Sequence, residues 1–279
     1  MCIFENSMEK KKFIDLKNLI KSKNPGLAKW LPGFVLNYLR KTIHEDEINA
    51  FLHNHHTQYD LDFCNEIIAY LNIKIQVNGL ENIPKTGPVI IAMNHPLGGM
   101  DAIAFITALK DHRKDLKYIV NDILMNLENL KGLFVGVNKH GKNEQSTRQN
   151  IIDAFESDEA ICIFPAGLVS RKQQGKIEDL EWKKTFITYA NKFNQPIVPV
   201  HIEGQLSNFF YRLANFRKAI GIKANIEMLY LADELFNQRN KTISFTIGKP
   251  ILPQDYNHLP SERKQAAFVK QTVYDLANK

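Results

Sequence analysis

The stretch IIAMNHPLGGMDAIAF (90–105) holds the residues best suited to chemistry. An apolar run ends at Asn94, His95 follows it, and Asp101 stands where a new helix-like run begins. An imidazole titrates near neutral pH and can take and return a proton. A carboxylate folded back onto it would hold one tautomer and support the imidazolium, as in a Ser-His-Asp triad. No protein nucleophile is needed if the substrate brings its own hydroxyl. Gly98 and Gly99 permit a sharp turn and let the backbone approach a ligand. The plainer reading of the same residues is a structural loop histidine and a helix N-cap aspartate.

The elements that must position this loop follow from periodicity. IKIQV (73–77) alternates as a strand, and PVIIAMN (88–94) reads as a buried strand. LKYIV (116–120), LFVGV (133–137), AICIF (160–164), PIVPVHI (196–202) and TISFTIG (242–248) are further strand-like runs. Amphipathic segments such as 147–157 and 182–193 lie between them, and 261–279 reads as a closing helix capped by Ser261. This alternation predicts an α/β fold with a largely parallel central sheet flanked by helices. The residues before it read helical and basic. The expected organisation is an N-terminal helical, membrane-associating segment over 1–72 and an α/β domain over 73–279.

Composition narrows the class. The 279 residues are 44% hydrophobic and 24% charged, which excludes a disordered chain. Cys2, Cys64 and Cys162 are odd in number and far apart, with no metal-type spacing, so neither a disulfide framework nor a metal site is expected. The N-terminal residues lack the apolar core of a signal peptide. An obligate spanning helix is not expected either, because Asn94, His95, Pro96 and Asp101 interrupt the most apolar stretch, 87–109. The formal charge of +6 points to an anionic partner, nucleic acid or an anionic membrane surface. NPGLAKWLPGFVLNYLRKTI (24–43) mixes Trp30, Phe34 and Tyr38 with Lys29, Arg40 and Lys41. Such a stretch suits a membrane interface; packing on the protein's own core is the alternative.

Other patterns carry less. GVNKHGKN (136–143) approaches a phosphate-binding P-loop, but Asn143 stands where the metal-binding hydroxyl belongs, and no later strand ends in a suitable Asp. Lys139, His140 and Lys142 are instead candidates for an anionic headgroup, or simply a solvated turn. His53, His55 and His56 lack a convincing carboxylate or thiol partner for a metal, and a surface helix end is the better reading. His201, at a strand end, either lines the crevice or is packed. There is no G-x-S-x-G elbow and no dinucleotide fingerprint. Helix-turn-helix and RNP-like signatures are missing too, so no nucleic acid is expected as partner.

Taken in order, several blocks resemble the glycerolipid acyltransferase superfamily, best known from lysophosphatidic acid acyltransferases. Its Asn-His-x4-Asp block is similar to Asn94, His95 and Asp101, with one extra residue before the Asp. Its Phe-Pro-Glu-Gly-Thr-Arg-Ser block resembles FPAGLVSR: Phe164, Pro165, Gly167 and Ser170 match, Ala166 replaces the Glu, and Arg171 falls one place late. Its Val-Pro-Val run resembles IVPV (197–200), and its aromatic-Lys pair resembles Trp182, Lys183 and Lys184. GLFVGVNK (132–139) meets the second block loosely.

The resemblance implies an O-acyltransferase of membrane lipid synthesis. A fatty acyl group would pass from acyl-ACP or acyl-CoA to the hydroxyl of a lysolipid, either lysophosphatidic acid or a lyso-aminolipid. His95 is the implied base and Asp101 its partner. Asn94, Gly98, Gly99, Lys139, Gly167, Ser170, Arg171 and Lys172 are implied to bind substrate. Backbone N–H groups near Gly98 or Gly167 are candidates for the oxyanion. No metal or cofactor is implied, since a thioester is already activated. Work on a lipid acceptor places the protein peripherally on the cytoplasmic face of the membrane. The alternatives are a P-loop-like nucleotide-binding protein and a catalytically silent lipid-binding module.

Overall fold

Strands buried on both faces must be apolar at every position, and three runs of this chain meet that demand. Val89–Met93, Ala160–Ile163 and Ile197–Ile202 are buried almost throughout and lie side by side at the centre of the sheet. The computed structural model describes residues 12–23, 25–121, 124–137 and 144–278. Among them, helices α1 (Leu16–Lys23), α2 (Pro25–Trp30), α3 (Gly33–Thr42), α4 (Glu45–Asn54) and α5 (Asp60–Tyr70) precede the first strand. Then come β1 (Lys74–Asn78), β2 (Val89–Met93), α6 (Gly99–Ala108), β3 (Leu116–Asn121), β4 (Phe134–Val137), α7 (Glu144–Glu156) and β5 (Ala160–Ile163). A short hairpin follows, β6 (Arg171–Gln173) and β7 (Lys176–Glu178). The chain continues through α8 (Thr185–Phe193), β8 (Ile197–Ile202), α9 (Asn208–Ala219), α10 (Leu231–Phe236), β9 (Thr242–Ile247), α11 (Pro253–Tyr256) and α12 (Glu262–Asp275).

Among the described residues, seven strands form one sheet in the order β1-β9-β8-β2-β5-β3-β4. Every neighbouring pair is parallel except β8 and β9. The expected α/β architecture is therefore observed, with β1 and β9 reversed at one side. Pro199 is tolerated inside β8 because the ladder with β9 ends beside it; there the Gly248 N–H donates to the Pro199 carbonyl at 2.8 Å.

Alternation within the strands divides the core in two. Val89, Ile91, Met93, Cys162, Val198 and Val200 face one helical layer, which includes α5 and α6. Ile90, Ala92, Ile161, Ile163 and Ile197 face the other, with α8 and α12. Phe63, Cys64, Ile68 and Leu71 belong to the first of these clusters, so α5 packs into the sheet's own core. The preceding α3 is different. None of its residues is buried, Phe34 is 76% exposed, and Trp30 at the end of α2 is 86% exposed. The aromatic face of 24–43 thus does not pack on the core. Among the described residues, no helix is long and apolar enough to cross a membrane.

Candidate active site

In an open α/β sheet the crevice outside the carboxyl ends of the strands collects ligands. Here β2 delivers His95 and β5 delivers Phe164 to that edge, beside the end of β8. Asn94 fixes where the β2 loop departs. Its side-chain N–H donates to the Ile202 carbonyl at 2.9 Å, and its Oδ1 accepts the Ile202 N–H at 2.7 Å. The amide so continues the β2–β8 ladder one residue past the strand.

The His95 and Asp101 side chains meet. Nδ1 of His95 lies 2.9 Å from Oδ2 of Asp101, and the same oxygen accepts the Leu97 N–H at 2.9 Å. With Nδ1 carrying the proton, Nε2 is left as the basic nitrogen. Asp101 is fully buried, while the His95 side chain keeps 17% of its surface. Burial pushes the Asp101 carboxyl above its ordinary range, and the hydrogen bond and charge of His95 oppose that rise. Phe164 stacks flat against the imidazole, with centroids 4.1 Å apart and planes at 21°. The ring is held on one edge by a carboxylate and on one face by an aromatic.

The turn that makes this possible needs glycine. Gly98, the residue that caps α6, has φ 72° and ψ −136°, a conformation other residues avoid. Asp101 is therefore not the N-cap; it is the third residue of α6, and its carboxylate reaches back over the turn to Leu97 and His95. Gly167, at φ 69°, donates its N–H to the Phe164 carbonyl at 2.9 Å and closes the turn after β5.

Behind the histidine sits a residue that the sequence did not announce. Asp179 is buried, and its carboxylate accepts the Ser170 hydroxyl at 2.6 Å, the Trp182 indole N–H at 2.8 Å and the His95 backbone N–H at 3.2 Å. The Ser170 N–H also donates to the His95 carbonyl at 2.8 Å. Ser170 thus grips the histidine loop rather than presenting its hydroxyl. Alanine at 179 leaves three donors without an acceptor, each costing about 1–3 kcal/mol. We expect Asp179→Ala to lose about 3 kcal/mol or more in urea denaturation, with acyl transfer falling in parallel. A loss under about 1 kcal/mol would remove this role.

The remaining sequence candidates are spread out. Arg171 turns away from His95: it pairs with buried Glu227 at 3.0 Å and lies over the Phe210 ring at 5.3 Å. Lys172 sits half-buried in β6, and its carbonyl accepts from Asn215. Gly99 is exposed at the start of α6. Lys139, His140 and Lys142 lie outside the described residues. His201 stands edge-on to Tyr274, with centroids 6.0 Å apart, and burial lowers its pKa. Burial pushes the Cys64 and Cys162 thiols up to about 12, so neither is a ready nucleophile. His55 is bound to Gln58, and His56 to the His53 carbonyl. A cavity of about 410 Å³ is lined by Asp179 together with Glu178, Trp182, Arg263 and Lys270.

Known proteins agree with this architecture. The chain is 45% identical over 264 residues to a lyso-glycine lipid O-acyltransferase of Bacteroides thetaiotaomicron, covering 94% of this chain and 97% of that protein. It is 44% identical over 264 residues to the protein of the same name from Phocaeicola vulgatus, covering 94% and 95%. A crystal structure of the 1-acyl-sn-glycerophosphate acyltransferase PlsC from Thermotoga maritima shares the fold, with a TM-score of 0.50 and 19% identity over 87% of this chain and 96% of that one. The acyltransferase family model matches residues 18–279, and with relatives so similar over nearly the whole length, this chain belongs to the acyltransferase family and is an enzyme.

Proposed function

We propose that the protein acylates the free hydroxyl of a lyso-aminolipid, with His95 as general base and an acyl thioester, acyl-ACP or acyl-CoA, as donor. The observation that carries this is the contact between His95 Nδ1 and Asp101 Oδ2 at 2.9 Å, which leaves Nε2 as the basic nitrogen at the strand-end crevice. Nε2 takes the hydroxyl proton as the alcohol oxygen attacks the thioester carbonyl. Asp101 supports the imidazolium. The tetrahedral oxyanion collapses, the C–S bond breaks, and the departing thiolate takes the proton back from His95. For the oxyanion, the amides around Gly98 and Gly99 are the better candidates. They open helix α6 and have no intrahelical acceptor, whereas the Gly167 N–H already bonds Phe164.

Two observations favour an aminolipid over a lysophosphatidic acid acceptor. Ala166 stands where the phosphate-binding block carries Glu, and Arg171 is committed to Glu227. Both relatives that match over almost the whole chain are named for a lyso-glycine lipid. Gly98 and Gly99 are the substrate contacts we assign, at the start of α6, while Asn94, Gly167 and Ser170 act by shaping the loops around His95. A substrate role for Lys139 and Lys172 rests on the sequence resemblance. The division proposed is a membrane-associating part over 1–72, docked through its residues before α4, and a transferring α/β part over 73–279, on whose sheet α5 packs. A peripheral position on the cytoplasmic leaflet follows from a bilayer acceptor and a soluble donor.

The test is transfer by the purified protein in detergent. An N-linked 3-hydroxyacyl glycine and lysophosphatidic acid are offered as acceptors, each with acyl-ACP and with acyl-CoA. The glycine lipid is expected to be turned over at least about tenfold faster, the difference that recognition of a charged headgroup supports. Preference for lysophosphatidic acid overturns the acceptor class. Absence of transfer to either overturns the reaction.

A further inference from the structure

The segment after β8 carries a surface that the reaction alone does not account for. Helix α9 buries Phe210, Tyr211 and Ala214 on one side and exposes Phe209 and Phe216 on the other, with Phe216 62% exposed, and its C-cap residue Ile220 is exposed too. Ile222 and Leu229, which follow it, are exposed as well. Between Asn208 and Asn225 there is no Asp or Glu, but there are Arg212, Arg217, Lys218 and Lys223. Residues 24–43 have the same character: exposed Trp30, Phe34 and Tyr38, three basic residues and no acid.

The two segments are far apart in sequence and touch in the fold. The Tyr38 and Tyr230 hydroxyls are 2.8 Å apart, and Phe209 packs edge-on against the Tyr230 ring at 4.9 Å. The next residue, Leu231, opens α10 and reaches the histidine loop, where a Cβ at Gly98 would lie 3.5 Å from its Cδ2. Helix α9 is locked to α10 at its start, since buried Glu234 accepts both the N–H and the hydroxyl of Ser207. One continuous path therefore runs from the N-terminal aromatics through Tyr230 to the loop of His95.

We propose that the outer face of α9 and the 220–229 segment is a second membrane-docking surface, lying on an anionic bilayer together with Trp30, Phe34 and Tyr38. This rests on the reading that the acceptor is a membrane lipid. Apolar side chains enter the headgroup boundary while exposed Arg212, Lys218 and Lys223 beside them meet anionic lipid; Arg217 is held by buried Glu227 at 2.8 Å. A second copy of the chain fits this face poorly, because two-fold pairing would set its basic residues against themselves. Docking by two elements that flank α10 holds the crevice at the bilayer, so that a lysolipid reaches His95 without leaving it.

The experiment compares sedimentation of the full chain with vesicles of phosphatidylcholine alone and of phosphatidylcholine with phosphatidylglycerol. Phe216→Ser/Ile220→Ser is expected to lower partitioning onto the anionic vesicles about tenfold or more. Lys218→Gln/Lys223→Gln should lower it about fivefold per charge at low salt and have little effect on neutral vesicles. Binding equal to the parent in both variants overturns the proposal. So does a dimer that becomes a monomer in Phe216→Ser/Ile220→Ser while vesicle binding is unchanged, since the face then belongs to a second copy. Transfer to a detergent-dispersed acceptor is read on the same preparations and is expected to persist in both variants. If the parent shows no transfer but the variants still lose vesicle binding, the reaction is overturned and the docking surface stands.

Discussion

His95→Ala is expected to lower the rate of acyl transfer about 10³-fold, within the 10²- to 10⁴-fold range of a positioned acid–base group. The loss should fall on kcat, with KM little changed, because the proton moves only as the hydroxyl attacks. Thiol released from the donor in the presence of the lysolipid measures it. The ring is not needed to hold the loop: that task falls to the backbone bonds of His95 with Asp179 and Ser170. A folded but inactive variant is therefore the expected outcome. Turnover equal to that of the parent would remove the imidazole from the chemistry.

Asp101→Asn is expected to separate activity from stability. An amide oxygen can replace Oδ2, keeping both the Leu97 N–H and the imidazole in place. What disappears is the negative charge that supports the imidazolium, and a drop of about 10²- to 10⁴-fold in kcat should follow. Stability is expected to differ in its pH dependence. The other oxygen, Oδ1, is buried without a hydrogen-bond partner, and burial raises the carboxyl's pKa above its unfolded value. The folded chain then holds that proton more tightly than the unfolded chain. The contribution of this group is fully present below the ordinary carboxylate range and is lost as pH rises through the raised value. Asparagine has no such titration. In urea denaturation, the variant should gain on the parent as pH climbs through the window just above the ordinary carboxylate range. Turnover equal to that of the parent would remove the charge of Asp101 from the chemistry, and a stability difference that stays constant with pH would remove its titration from the fold.

How far the sequence could be read depended on distance along the chain. The runs at 88–94, 160–164 and 196–202 are observed as β2, β5 and β8 within a residue or two, because a strand buried on both faces announces itself by an unbroken apolar stretch. The hairpin of β6 and β7 has no comparable signal in the sequence. Its strands are three residues each, charged and half-exposed, with only Gln174 and Gly175 at positive φ to mark the turn. Yet this hairpin carries Arg171 to Glu227 and leads into Asp179, the support behind His95.

The pairing of His95 with Asp101 is within reach of the sequence because the two lie six positions apart with two glycines between them. The residue types alone also allow a loop histidine and an N-cap aspartate, and it is the family-like order of the blocks that favours the pair. Neighbouring residues encode the β/α alternation through their period. Asp179 lies 84 residues from His95, Glu227 lies 56 from Arg171, and Tyr230 lies 192 from Tyr38. A buried carboxylate or guanidinium must find a partner, but which one it finds is settled by how distant segments stack. Periodicity likewise marked 24–43 as amphipathic and left open whether its aromatic face turned inward. Packing answers that question, because α5 and α6 already cover the sheet on that side and leave Trp30 and Phe34 in contact with solvent.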